Sequence, residues 1–214
     1  MQIGILGTGD VGQSLGSAFI SLGHEVMLGS RESGNPKAVA WATATGSLKA
    51  AVGTFAETAA FGEQLVLATH GMATEEAIQR AGITPFYGKL LIDTTNPLDF
   101  STGAPALAIS GADSLGERVQ RLLPDTRVVK AFNTVGNRHM FRPLFADGPP
   151  DMFICGDDQD AKQLVTELLH EFGWVTVDIG MIDGSRFLEA MCLVWVRYGL
   201  LTNTWDHAFK LLRQ

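Results

Sequence analysis

Six residues near the start of the chain, Gly7-Thr8-Gly9-Asp10-Val11-Gly12, have the types and spacing to hold a phosphate. They follow a short apolar run, Gln2 to Leu6, and precede Val11, Leu15, Ala18, Phe19 and Leu22, which recur at helical spacing. In a G-x-G-x-x-G loop each glycine has its own task. Gly7 permits the tight turn, Gly9 lets the backbone approach a pyrophosphate, and Gly12 lets the helix pack closely on the strand. Free N–H groups and the helix dipole then attract the phosphate charge. A second constellation, Gly29-Ser30-Arg31, closes the next strand. An NAD site calls for Asp or Glu here to accept from the ribose 2′-OH, and none stands at these three positions. A hydroxyl and a guanidinium instead suit a 2′-phosphate, and Lys37, one turn into the following helix, supplies a further positive charge. These residues predict an NADP site; the competing reading makes Arg31 a solvated loop residue balanced by Glu32.

Elements that would position these residues can be read along the chain. Strands are expected at Gln2 to Leu6, Glu25 to Leu28, Leu65 to Thr69, Leu90 to Thr94 and Arg127 to Ala131. Helices lie between them: one after Asp10 that stops at Gly23, one opened by Asn35-Pro36 that stops at Gly46, and Thr74 to Arg80. Thr54 with Glu57, and Ser114 with Glu117, have capping-box spacing, the latter for a helix that ends at Pro124. Met152 to Cys155, Gln159 to Phe172 and Val175 to Ile179 form a further β-α-β run; helices follow from Ser185 to Leu201 and again from Thr204. Such alternation implies α/β architecture: a doubly wound parallel sheet, the NAD(P)-binding Rossmann fold, with a small C-terminal α/β and helical extension. Residues 1–138 are the expected dinucleotide-binding part, and 139–214 an extension closing the nicotinamide cleft.

Ligands of such sheets sit at the carboxyl ends of the strands. That rule places Thr69, His70, Asn96, Pro97, Ala131 and Asn133 beside the cofactor. His70 is the candidate proton donor, against a loop histidine bonded to backbone. Asn96 and Asn133 could hold a carboxamide or ribose, though Asn also favours turns for local reasons. Arg138, His139 and Arg142 are candidates for an anionic tail of a second substrate, against solvated charges. Trp174, Trp195, Trp205 and Phe209 are expected to pack the C-terminal helices or a subunit interface.

Composition narrows the function classes. Of 214 residues, 16 are Lys or Arg and 23 Asp or Glu, a net charge of −7, which argues against a nucleic-acid surface. The longest strongly apolar run, Ala190 to Val196, is far short of the roughly 20 residues that span a bilayer. With no basic leader before the first apolar run, a cytoplasmic protein is expected. Cys155 and Cys192 sit in apolar runs with no partner at ligand spacing, so neither a disulfide framework nor a metal is expected.

Read with the C-terminal half, these residues resemble the F-420-dependent NADP oxidoreductase family. The resemblance rests on Ile3-Gly4-Ile5-Leu6-Gly7-Thr8-Gly9-Asp10-Val11-Gly12, His24-Glu25-Val26 and Gly29-Ser30-Arg31. Cys155-Gly156-Asp157-Asp158 and Asp178-Ile179-Gly180, leading to Ser185-Arg186-Phe187-Leu188-Glu189, extend it. Val128-Val129-Lys130-Ala131-Phe132-Asn133-Thr134 is also similar to the reductase domain of six-transmembrane epithelial antigen metalloreductases, which passes NADPH hydride to a flavin. The resemblance implies hydride transfer between NADP(H) and the deazaflavin F-420, in an enzyme that is often a homodimer. FMN or FAD as acceptor, or a redox sensor that binds NADP without turnover, are the alternatives. Where the archaeal enzymes carry an Ile-Pro pair lining the nicotinamide, this chain has Thr69-His70.

Overall fold

The computed structural model describes residues 1–212. From the first residues β1 (Gln2–Leu6) leads through the glycine loop into α1 (Asp10–Ser21). Then come β2 (Glu25–Ser30), α2 (Pro36–Thr45), β3 (Ala50–Thr54), α3 (Phe55–Phe61), β4 (Gln64–Leu67) and α4 (Thr74–Ala81). β5 (Leu90–Asp93) is followed by a two-residue hairpin of β6 (Leu98–Asp99) and β7 (Ala106–Leu107), then α5 (Leu115–Leu122) and β8 (Arg127–Lys130). β9 (Asp151–Gly156), α6 (Gln159–Glu171), β10 (Val175–Asp178) and α7 (Ser185–Thr202) complete the described elements.

The local signals act as expected. Asn35 Oδ1 accepts from the N–H groups of Lys37 and Ala38 to start α2, and Gly46, at φ 59°, ends it in the left-handed region. Thr54 and Glu57 form both halves of a capping box. Side chains alternate across the strands: Ile3, Ile5, Val66, Ile92 and Val129 pack under α1, α2 and α6, while Leu65, Leu67, Leu91 and Val128 pack against α3, α4 and α5. Both faces of the sheet are therefore covered.

The sheet has the order β10-β9-β8-β5-β4-β1-β2-β3. β1 to β5 and β8 are parallel, but β9 runs antiparallel to β8, and β10 parallel to β9, so the sheet is mostly rather than wholly parallel. The reason lies in residues 131–150, which carry a short 3-10 turn but no crossover helix. Without one the chain stays at the carboxyl end of β8 and enters β9 from there. Two further expectations change. Ala50–Thr54 is a strand that sequence periodicity does not announce, made by its register with Val26 to Ser30. The helix expected from Thr204 does not form. Asn203 ends α7 with φ 51°, and the following backbone bonds elsewhere: Phe209 O accepts from Asp151 N–H at 3.0 Å, and Trp195 Nε1 donates to His207 O at 2.9 Å.

α5 and α7 are tied by an ion pair whose titration can be followed. Glu117 accepts from Arg186 Nε at 2.8 Å and from Ser114 Oγ at 2.7 Å. The Arg186 hydrogen bonds hold its carboxyl below the ordinary value of 4.5. Its contribution to stability is thus present above the unfolded value and is lost as pH falls through the lower, folded one. The melting temperature of Arg186→Ala should therefore lie below the parent's at pH 6, with the gap narrowing as pH drops below about 4. A gap independent of pH would remove the pair from the account.

Candidate functional site

The loop after β1 is built for close approach. Gly7 sits at φ 135°, and a Cβ there would lie 2.2 Å from Ala68 O. A Cβ on Gly12 would lie 2.4 Å from Gly7 O, so this residue seats the helix on the turn. Gly9 differs: nothing lies within 4 Å of where its Cβ would be. No side chain caps α1 at Gly9, so the first-turn N–H groups are left for a ligand. Together these leave a cradle that a pyrophosphate fits and any side chain at position 9 would fill.

A cavity of about 770 Å³ opens from this loop along the carboxyl rim. It brings together Gly7, Thr8, Gly9, Ser30, Arg31, Lys37, Thr69 and His70. Ser30 is buried and donates its hydroxyl to Glu32 O at 2.5 Å, which folds the loop after β2 and leaves only its lone pairs for a ligand. Arg31 and Lys37 are exposed and make no ion pair with a carboxylate among the described residues. The guanidinium and ammonium are therefore the groups free to meet a 2′-phosphate. The same cavity is lined by Ala73, just before α4, and by Glu76, Ala77 and Arg80 of α4, with Arg80 Nε 2.7 Å from Glu76. Sequence reasoning missed this wall. Its signal was the i, i+3 spacing of Ala77 and Arg80 in a helix that follows a rim loop.

Asp10, Val11, Asn96, Pro97, Ala131 and Asn133 are not among the residues lining this cavity. Asp10 and Val11 form the first turn of α1. Ala131 is buried in the core, its N–H donating to Asp93 O. Asn96 and Asn133 meet each other: Asn133 Nδ2 donates to Asn96 Oδ1 at 2.9 Å and Asn96 Nδ2 to Asn133 O at 2.9 Å. Pro97 is buried just beyond, and a Cβ on Gly71 would lie 1.9 Å from Asn96 O, so the loops after β4 and β5 touch. Exposed His70 uses its carbonyl to accept from Ala73 N–H at 2.8 Å, while its ring has no hydrogen-bond partner among the described residues. Thr69 bonds the Thr74 hydroxyl at 2.9 Å.

Of the three side chains considered for an anionic tail, His139 is held by Asp206 at 2.9 Å, and Arg142 lies over the Phe141 ring, 4.9 Å from its centroid. Arg138 lines a second cavity, about 420 Å³, with Gly136, Trp195 and Trp205. Both thiols are buried, which pushes Cys155 up to about 11 and Cys192 up to about 12. No cluster of three His, Cys, Asp or Glu side chains suited to a metal occurs among the described residues. No described helix is long and apolar enough to cross a membrane.

Known proteins share these features. A family model described as NADP oxidoreductase, coenzyme F420-dependent, matches residues 2–97. The F420-dependent NADP reductase of Methanothermobacter marburgensis is 34% identical over 206 residues, covering 88% of this chain and 88% of that protein. The chain belongs to the F420-dependent NADP oxidoreductase family. As a member of that family it is an NADP-dependent oxidoreductase. A solved structure from Arthrobacter sp. FB24, described as a candidate F420-dependent NADP-reductase, is 37% identical with a TM-score of 0.93, covering 100% of both chains. Metalloreductase STEAP3 of Rattus norvegicus is 29% identical over 203 residues, 90% of this chain; the chain spans 36% of that relative's length.

In this oxidoreductase the matched stretch ends at Pro97. It therefore takes in the glycine loop, the Ser30-Arg31 pair, the α4 wall and the turn at Asn96. Asn133 and α7 lie beyond it.

Proposed function

We propose that this protein transfers a hydride between NADP(H) and the deazaflavin coenzyme F-420. The cradle at Gly9 carries the NADP half of the reading, because it is open where a pyrophosphate would lie, while a Cβ at Gly7 or Gly12 would meet backbone oxygen. The nicotinamide and deazaflavin rings supply the hydride chemistry when bound. What falls to the chain is placement. Arg31 and Lys37 hold the adenosine phosphate, the first turn of α1 the pyrophosphate, and Asn96 with Asn133 the nicotinamide edge, so that the two rings meet face to face with water excluded. Such a transfer needs no proton relay, which suits a cavity where His70 is the sole ring base and its ring makes no hydrogen bond to another side chain among the described residues. His70 and Asn133 are the residues nearest to catalytic work in this reading.

The family relationship supports F-420 as partner. Reduction of FMN or FAD is the second reading, favoured by the metalloreductase match across 90% of the chain. The second cavity, whose lining includes Trp195, Trp205 and Arg138, supports an enzyme with two ligands over a sensor with one. In functional terms the chain divides near residue 138, the C-terminal part covering the nicotinamide end. Val194, Tyr198 and Leu201 present an exposed apolar face on α7, which suits a homodimer of a cytoplasmic enzyme.

One titration decides the acceptor. Purified protein with NADPH is offered F-420, FMN and FAD in turn while absorbance at 340 nm is followed. Loss of that band with F-420 alone is the expected result. Turnover with a flavin only would shift the assignment to the second reading, and no oxidation with any of the three would leave the sensor.

A further inference from the structure

Two layers of polar contacts join the carboxyl ends of β5 and β8 to α7. The lower layer is charged. Lys130 Nζ lies 2.7 Å from Asp93 Oδ2 and 3.1 Å from Glu189 Oε1, and none of the three side chains is more than 1% exposed. Every other oxygen of the two carboxylates has its own donors. Asp93 Oδ1 accepts from the Thr95 N–H at 2.9 Å and hydroxyl at 2.7 Å. Glu189 accepts from Leu115 N–H at 3.1 Å and Gly116 N–H at 3.0 Å, at the start of α5.

The upper layer is made of amides. Asn133, three residues past Lys130, donates from Nδ2 to Asn96 Oδ1 and to Leu188 O, both at 2.9 Å. Asn96 lies three residues past Asp93, and Leu188 is the neighbour of Glu189. The same three segments are thus joined twice. Asn133 Oδ1 is buried without a hydrogen-bond partner among the described residues.

Burying two carboxylates and an ammonium is costly, and apolar side chains of similar volume would hold three elements together at less expense. What a charged trio adds is direction. Each atom has a fixed partner, so β5, β8 and α7 can meet in one register, and that register sets where Asn96 and Asn133 stand.

We propose that Lys130 is a positioning residue: through Asp93 and Glu189 it fixes the Asn96–Asn133–Leu188 layer against which the nicotinamide half of NADP(H) is held. The proposal rests on the NADP reading of the rim given above. It predicts damage confined to the nicotinamide half, since the cradle at Gly9 and the cations at positions 31 and 37 are built by other elements.

Calorimetric titration of the whole chain with NADP+ and with 2′,5′-ADP, which lacks the nicotinamide half, separates the two ends. Glu189→Gln keeps one of the two acceptor oxygens that meet the α5 N–H groups and leaves Lys130 and Asp93 as a balanced pair, so it is the milder variant and the one expected to fold; Lys130→Met is the stronger lesion. In both, affinity for 2′,5′-ADP should match the parent, while the advantage of NADP+ over 2′,5′-ADP falls roughly three- to tenfold, the worth of one ordinary hydrogen bond. Equal loss for both ligands would make the trio a general structural element, and no loss for either would remove its role; each overturns the proposal. If Lys130→Met does not fold, Glu189→Gln alone decides. A parent protein that binds neither ligand would instead sink the underlying NADP reading.

Discussion

Gly9→Val is expected to abolish dinucleotide binding and leave the protein folded. The backbone at Gly9 has φ −77° and ψ −177°, extended values that any L residue adopts, and a Cβ there meets no protein atom within 4 Å. The fold therefore loses nothing. A ligand loses its site, because a valine side chain would occupy the volume from which the first-turn N–H groups of α1 are reached. We expect NADPH affinity to fall by more than about 100-fold, some 2.7 kcal/mol, with an unchanged melting curve. Equilibrium titration by nucleotide fluorescence and a thermal melt measure the two halves of the claim. The neighbouring glycines provide the contrast. Alanine at Gly7 or Gly12 would place a Cβ against backbone oxygen, at 2.2 Å from Ala68 O and 2.4 Å from Gly7 O respectively, and should damage the fold as well as the site. Retained binding in Gly9→Val would mean that the pyrophosphate does not lie on this loop.

The second large effect is a change of preference. Arg31→Ala should weaken NADP binding by about 1.5–3 kcal/mol, roughly 10- to 150-fold, and leave NAD affinity where it was. The size follows from a charge-assisted contact that has no competitor. Arg31 is exposed in the cavity and unpaired among the described residues, and the Ser30 hydroxyl is already spent on Glu32 O. Lys37 remains in the variant, so some preference for the phosphate should survive. Binding of NADP to the parent should also weaken with salt more steeply than binding of NAD, because the partners are solvent-accessible charges. A ratio of the two affinities that does not move would place the 2′-phosphate elsewhere.

Much of this was legible from local chemistry. The glycine loop, the absence of a carboxylate at 29 to 31, the Asn35-Pro36 helix start and the Thr54–Glu57 capping box each act over a few residues, and each holds in the structure. The Asp93–Lys130 pair was not legible: nothing in the linear order said that they meet, or that Glu189 joins them. β3 was silent for a related reason: Ala50-Ala51-Val52-Gly53-Thr54 has little strand preference of its own and is held by β2.

By itself, then, the sequence determined the glycine loop, the cations after β2 and most of the α/β alternation, because hydrogen-bonding geometry, helix capping and local charge operate between near neighbours. Tertiary structure alone decided the reversal of β9, the irregular path after Asn203, the α4 wall of the cavity and the Asp93–Lys130–Glu189 trio. Those features depend on which distant segments share a buried space, and burial, pairing of charges and satisfaction of backbone groups are settled only once the whole chain has packed.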